Sequence, residues 1–178
     1  MSGNLLHETV LKEEAVAALN VIPDGIIIDV TFGRGGHSTI ILKQLDSEGR
    51  LIAIDRDPEA IDEALQLQKK DSRLEVAHAT FSQLEEVAVS KSINGRVTGV
   101  LFDLGVSSPQ LDSAGRGFSF MKEGPLDMRM NPTEGHSASQ WINSASEKEI
   151  SNVLFNLSLI HISEPTRRYA ISYAVFCL

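Results

Sequence analysis

Short apolar runs alternate with amphipathic stretches along the chain from about residue 10 to residue 103. Continuous runs rich in β-branched residues are typical of strands buried on both faces of a sheet. Apolar residues three or four positions apart are typical of the helices that cover such a sheet. The pattern predicts strands at 25–30, 51–55, 74–78 and 97–103, with a helix in each connection. Alternation of this kind predicts an α/β domain with a mainly parallel sheet.

Local signals place the ends of several predicted helices. Asp57 followed by Pro58 predicts the start of the helix after the second strand, because an aspartate caps well and proline suits the first turn. Ser82 is predicted to cap the next helix. From residue 104 to residue 132 the chain is rich in Gly, Ser and Pro without periodicity. A loop this long inside a compact domain is usually functional.

A glycine-rich loop, DVTFGRGGHS at 29–38, joins the first predicted strand to the next helix. Glycines such as Gly33 and Gly35 let the backbone turn sharply and approach a ligand, and the helix that follows offers free N–H groups. Asp55 ends the next strand, where its carboxylate can accept hydrogen bonds from both hydroxyls of a ribose. The arrangement predicts a nucleoside-binding site; the alternative is a tight turn with Asp55 capping only the helix start.

Two residues of this loop indicate which class of nucleoside cofactor it binds. A dinucleotide-binding loop favours a third glycine at the position that Ser38 occupies. Asp29, at the start of the loop, would repel a pyrophosphate but attract the ammonium and sulfonium groups of S-adenosylmethionine. Electrostatics therefore favour the methyl donor over a nicotinamide cofactor.

Two further clusters carry potential chemistry. Asp103 ends the fourth strand within LFDLGVSSPQ, and the carboxyl ends of parallel strands form the ligand crevice, so Asp103 is expected to face the same cleft as Asp55. The second cluster is RGFSF at 116–120 with the downstream GPLDMRM. Its aromatic and basic side chains either clamp an extruded base and its phosphates or close the core beneath the loop. The residues concerned are Arg116, Phe118, Phe120 and Arg129.

Composition excludes several classes of protein. With 16 Lys and Arg against 24 Asp and Glu, the chain lacks the overall positive charge typical of sequence-independent nucleic-acid binding. The single cysteine excludes an internal disulfide framework, and the histidines show no metal-ligand spacing. No basic start followed by an apolar core and no long apolar run is present. These features predict a soluble cytoplasmic protein with no membrane partner and no metal.

Several motifs in order resemble the bacterial 16S ribosomal RNA cytosine-N4 methyltransferases of the MraW/RsmH type. The resemblance covers about residues 5–155 and is carried by HETVL (7–11), DVTFGRGGHS (29–38), AIDRDPEA (53–60), LFDLGVSSPQL (101–111) and RGFSFMKEGPLDMRM (116–130). It implies an S-adenosylmethionine-dependent enzyme that methylates the exocyclic amine of a cytidine in the decoding centre of the small ribosomal subunit. It also implies a Rossmann-like methyltransferase fold with an inserted helical substrate domain.

Roles for individual residues follow from the chemistry of this reaction and, for the donor contacts, from the resemblance. The target amine is a poor nucleophile, so polarisation by Asp103 or by backbone carbonyls near Ser108 and Pro109 is the expected catalytic contribution. Phe118, Phe120, Arg116 and Arg129 are the expected RNA contacts. Matched position by position, the expected donor contacts are Gly35, Gly36, His37, Asp55, Phe81, Asp103 and Gln110, beside Asp29 and Gly33.

The carboxyl end departs from this family. We predict an amino-terminal helix at 1–20, a partial Rossmann-like core at 21–135, the start of the helical substrate domain at 136–157 and a foreign tail at 158–178. A chain truncated in this way exposes an apolar sheet edge, so we expect it to be poorly stable and inactive as written.

The alternative functions are a catalytically dead nucleoside-binding module and a nicotinamide-dependent oxidoreductase.

Overall fold

The computed structural model describes residues 11–156. Its described strands form one sheet in which every neighbouring pair is parallel, in the order β3-β2-β1-β4. The strands are β1 (Ile26–Asp29), β2 (Arg50–Asp55), β3 (Leu74–His78) and β4 (Gly99–Leu101). The helices are α1 (Lys12–Leu19), α2 (Gly36–Gln44), α3 (Pro58–Gln68), α4 (Leu84–Ser90), α5 (Ser108–Asp112), α6 (Ala138–Ser144) and α7 (Glu147–Asn156).

The strands are buried on both faces, as their unbroken apolar sequences predict. Alternate residues of a strand point to opposite faces, so Ile27 and Leu51 join one hydrophobic cluster while Ile28 and Ile52 join another. Ile41 of α2 packs in the first cluster. Residues of α4 complete the second cluster, so helices cover both faces. The predicted α/β fold, a Rossmann-like parallel sheet with helices on both faces, is confirmed.

The strand order fixes where a ligand can bind. From β1 the chain proceeds outward to β2 and β3, and then β4 returns to the other side of β1. In open parallel sheets the ligand crevice lies at the carboxyl ends of the strands where the order reverses, which here is between β1 and β4. The register pairs Asp29 with Ala53 of β2 and Leu101 of β4, so β1 and β4 end at the same level and β2 runs two residues further, to Asp55.

Three local expectations need correction. The fourth strand is shorter than the predicted 97–103, because its described ladder with β1 spans only Gly99–Leu101. Ser82 does not cap α4: it lies inside a 3₁₀ turn, Phe81–Gln83, whose cap is Thr80 with Gln83 Oε1 accepting from the Thr80 N–H at 3.0 Å. The stretch from 104 to 132 is not without regular structure, because it contains α5 and a 3₁₀ turn at Ala114–Arg116.

The chain divides into two compact units, with the first ending at Asp103 and the second beginning at Leu104. The domain boundaries predicted from the sequence stay predictions, and those before residue 11 and after residue 156 lie outside the described residues. Among the helices that the structure describes, none combines the length and hydropathy of a membrane-spanning segment.

Candidate functional site

The glycine loop is anchored at the end of β1 by a buried carboxylate. Asp29 Oδ2 accepts a hydrogen bond from the Ser38 hydroxyl at 2.7 Å, and Oδ1 accepts from the Thr31 N–H at 3.2 Å. Burial raises the pKa of Asp29, while the bonds from Ser38 and Thr31 oppose that rise. Ser38, which occupies the third-glycine position of a dinucleotide loop, is therefore part of the support of this carboxylate.

We expect Asp29→Asn to stabilise the fold near neutral pH. Because burial raises the pKa of Asp29, the folded chain keeps this proton to a higher pH than the unfolded chain does, and stability is lost as pH rises through that window. An asparagine keeps the side-chain shape and cannot ionise. Thermal unfolding followed by circular dichroism at pH 4 and pH 7 checks this. The variant should melt above the wild type at pH 7, and the gap should close at acidic pH; equal melting temperatures at both values contradict the assignment.

Two glycines of the loop have left-handed backbone conformations that disfavour other residues. Gly33 has φ of 55° and Gly35 has φ of 74°. A Cβ on Gly35 would lie 2.8 Å from Cζ of Phe32, whose ring is buried in the core beneath the loop. The Gly35 N–H donates to the Phe32 carbonyl at 2.8 Å, which closes the turn. The backbone is thereby held close to the base of α2, as a ligand cradle requires.

Asp55 organises the loop from the end of β2. Its Oδ2 accepts a hydrogen bond from the Gly33 N–H at 2.8 Å, and its Oδ1 accepts from the Asp57 N–H at 2.9 Å. The capping contact anticipated as the alternative role is thus present together with the contact to the loop. Each carboxylate oxygen has a second lone pair, so these two backbone bonds leave capacity for the hydroxyls of a ribose.

Asp103 follows β4 beside the start of α2. Its side chain is 56% exposed, and its Oδ2 lies 3.8 Å from Nδ1 of the buried His37. The Asp103 N–H donates to the Thr31 hydroxyl at 2.7 Å. The sequence predicted Asp103 and Asp55 at one edge, and the structure places both at the carboxyl edge of the sheet. Thr31 is a contact that sequence reasoning missed, because only the pairing of β1 with β4 brings it to Asp103.

An arginine in the loop forms a second missed connection. Arg34 Nη2 lies 3.1 Å from Glu59 and Nη1 lies 3.2 Å from Glu63, both on α3. The two glutamates are four residues apart and so share one helix face, which was a visible signal. Exposed pairs of this kind contribute at most about 1 kcal/mol each. Their contribution is to connect the glycine loop to the helix that follows Asp55.

Phe81 and Gly36 complete the predicted donor residues of the first unit. Gly36 is the first residue of α2, directly before His37. Phe81 begins the 3₁₀ turn that follows β3, and its side chain is 57% exposed. An exposed aromatic ring after a strand's carboxyl end is available for stacking on a flat base.

The remaining predicted donor and catalytic residues lie in the second unit, at the start of α5. Ser108 and Pro109 are half-buried in its first turn. Gln110 is buried, with its Oε1 accepting from the Ser107 N–H at 2.8 Å and its Nε2 lying 3.4 Å from Sδ of Met130. Gln110 therefore supports the fold of this unit in addition to any role toward a ligand.

The four predicted RNA contacts have different surroundings. Arg116 is buried, and its Nη2 donates to the Arg129 and Met130 carbonyls at 3.2 and 2.8 Å, while its Cζ lies 6.0 Å from the Phe118 ring. Arg129 pairs with Asp127 at 2.6 Å, and that hydrogen bond lowers the pKa of the Asp127 carboxyl. Phe120 is 92% exposed. Within this unit, Phe120 is thus open for stacking, whereas both arginines hold the loop together.

The described residues contain no cluster of three or more His, Cys, Asp or Glu that could hold a metal ion. The candidate site at the carboxyl edge of the sheet consists of a glycine loop, three carboxylates, a buried histidine and an exposed aromatic ring. Comparison with known proteins bears on which nucleoside such a site would take. The sequence matches the MraW methylase family over residues 4–171.

The chain belongs to the MraW methylase family. The match covers nearly the whole chain and agrees with the family that the sequence motifs resemble. It extends into the segment 158–178, for which a foreign origin is predicted and which lies outside the described residues. Membership in a methylase family favours a methyl donor over a nicotinamide cofactor in the glycine-loop site.

One solved structure is similar to part of this chain. It is the crystal structure of a candidate rRNA methylase from Clostridium thermocellum, with 15% sequence identity and a TM-score of 0.39. The alignment covers 46% of this chain and 46% of that chain, so it spans less than half the length of either protein.

Proposed function

We propose that this MraW family methylase transfers a methyl group from S-adenosylmethionine to the exocyclic N4 amine of a cytidine in the decoding centre of 16S ribosomal RNA, in the cytoplasm. The observation that carries the proposal is the grouping of Asp29, Asp55 and Asp103 at the carboxyl ends of adjacent strands, around a glycine loop. Negative charge at this edge favours a cationic cofactor.

The residues of the first unit suit the donor chemically. Asp55 is held by two backbone N–H groups and retains acceptor capacity for the ribose hydroxyls. The exposed ring of Phe81 offers a stacking surface for the adenine. A sulfonium or ammonium group near Asp29 offsets part of the cost of burying that carboxylate. When bound, the donor supplies an electrophilic methyl group, and the protein supplies position and polarity.

The acceptor amine needs polarisation because its lone pair is delocalised into the cytosine ring. Asp103 is the charged acceptor exposed beside the loop, and its carboxylate oxygens can accept hydrogen bonds from the N–H groups of an amine. Such bonds strengthen as positive charge develops on the amine nitrogen in the transition state. Backbone carbonyls around Ser108 and Pro109 of the second unit are the alternative acceptors.

The RNA contacts are proposed in the second unit. The exposed Phe120 ring is suited to stacking on an unpaired base. Phe118 is half-buried, with the guanidinium of Arg116 near its ring, so Arg116 and Arg129 are proposed to act on RNA by fixing the loop that presents Phe120. The small subunit's RNA is the proposed partner.

Product analysis tests this function. Small-subunit RNA is incubated with tritiated S-adenosylmethionine and the chain in excess over RNA. Because the chain as written is expected to lack efficient turnover, the excess allows a single methylation per RNA to be scored. The RNA is then digested and its nucleosides are separated. Label in N4-methylcytidine supports the proposal, whereas label confined to another nucleoside contradicts it.

We expect Asp103→Asn to lower the methylation rate by about 10²-fold, because an amide keeps the shape but removes the charge that opposes the developing cation. Single-turnover methylation under donor saturation measures this effect. Full-rate methylation by a variant that binds donor and RNA normally contradicts the role of Asp103. Asp112→Asn, on an exposed position at the end of α5, serves as the matched control.

A further inference from the structure

The segment that follows β4 is held by the hydroxyl of Thr31, which lies in the loop that follows β1. The last ladder contact is the Val30 N–H donating to the Leu101 carbonyl at 3.1 Å, after which the chain leaves the sheet. Two residues later, the Asp103 N–H donates to Thr31 Oγ1 at 2.7 Å. This hydrogen bond joins residues 72 positions apart and fixes the main chain of Asp103 against the glycine loop.

Thr31 is itself fixed by the buried carboxylate beneath it. Its N–H donates to Asp29 Oδ1 at 3.2 Å, so one residue connects the acid that ends β1 to the acid that follows β4. The Asp103 side chain meanwhile lies 3.8 Å from Nδ1 of His37. Asp103 is thus approached at its main chain by Thr31 and at its side chain by His37. Of these two contacts, only the one between the Asp103 N–H and Thr31 Oγ1 is short enough for a hydrogen bond.

We propose that Thr31 is a positioning residue for the methyl-transfer site, acting by holding Asp103 at the edge of the donor cleft. The assignment rests on the proposed function, because it takes Asp103 as a group that contacts the donor or the target amine. Asp103 is exposed and lies beyond the strand ladder, so its direction depends on contacts outside the sheet. Removal of the Thr31 hydroxyl leaves the Asp103 N–H without this acceptor and frees the segment to shift.

Three variants separate positioning from general stability. Thr31→Val keeps the shape and removes the hydroxyl, and Thr31→Ser restores the hydroxyl. Thr98→Val is the matched control: Thr98 Oγ1 donates to the Ile26 carbonyl at 3.1 Å, which is a hydroxyl bond between the same two strands at the opposite end of the sheet. The measurements are calorimetric affinity for S-adenosylmethionine, melting temperature, and the hydrogen-exchange rate of the Asp103 amide by NMR.

We expect Thr31→Val to weaken donor affinity at least about tenfold and to accelerate Asp103 amide exchange by a similar factor. Thr31→Ser should return both values to within about twofold of the wild type. Thr98→Val should leave donor affinity within about twofold, and the Ile26 carbonyl keeps its hydrogen bond from the Thr98 N–H at 2.8 Å.

Two results overturn the assignment while the proposed function stands. One is wild-type donor affinity in Thr31→Val, and the other is an equal loss of affinity in Thr98→Val, which would indicate general loosening of the β1–β4 pair. If the wild type itself binds no donor, the proposed function fails and this assignment fails with it. The wild-type measurement thus tests the function, and the ratio between variants tests the role of Thr31.

Discussion

Asp55→Ala is expected to reduce affinity for S-adenosylmethionine at least about 100-fold. The variant loses the carboxylate that accepts from two ribose hydroxyls, and each hydrogen bond to a charged group contributes about 1.5–3 kcal/mol. It also loses the hydrogen bond that the Gly33 N–H donates to Asp55 Oδ2 at 2.8 Å. Both losses act on the donor cradle. Isothermal titration calorimetry with S-adenosylmethionine and with its demethylated product measures the change.

The control for this prediction is Asp62→Ala. Asp62 carries the same charge and lies exposed on α3. The Asp62→Ala variant should bind the donor as the wild type does. This result would exclude the change in net charge as the cause of the affinity loss in Asp55→Ala. If Asp55→Ala keeps a folded circular dichroism spectrum and binds the donor with an affinity within threefold of the wild type, Asp55 is a capping residue and not a ribose ligand.

Gly35→Ala is expected to abolish measurable donor binding and to lower the free energy of unfolding by about 2–4 kcal/mol. Alanine is strained at a φ of 74°, and its Cβ would lie 2.8 Å from Cζ of the buried Phe32 ring. Because the ring is packed in the core, the loop backbone must shift instead, and the cradle for the donor shifts with it. Urea unfolding and donor titration measure the two effects.

Gly95→Ala isolates the contact with Phe32 from the backbone strain. Gly95 has a φ of 72°, and a Cβ there would meet nothing within 4 Å. This control should cost only about 1 kcal/mol of stability and leave donor binding unchanged. Equal losses of stability and of donor affinity in the two variants would show that the Phe32 contact has no special role.

Helix-capping signals and apolar runs in the sequence predicted the helices and strands whose positions depend on neighbouring residues. Asp57 caps α3 as expected, with its Oδ1 accepting from the Glu59 N–H at 3.0 Å and Pro58 following in the first turn. The four strands were placed to within a few residues because a buried parallel strand needs an unbroken apolar run. The helix α5 carried the same kind of signal in Ser107, Pro109 and Gln110, and it was missed inside a segment rich in Gly and Ser.

Contacts between distant segments were beyond such rules. The bond from Asp103 to Thr31 exists only because β4 pairs with β1, and no local pattern states which strands are neighbours. The burial of Arg116 depends on carbonyls 13 and 14 residues away, so its predicted exposure to RNA could not be judged from composition. The sequence therefore predicted which residues lie at the carboxyl ends of the strands more reliably than how each of them is held.

The proposed function requires that the glycine loop, Asp55 and Asp103 form a site for the methyl donor. Calorimetric titration of S-adenosylmethionine into the chain, beside a parallel titration of NADH, tests it most directly. We expect saturable binding of S-adenosylmethionine and of its demethylated product, with no binding of NADH. Binding of NADH without binding of S-adenosylmethionine would contradict it.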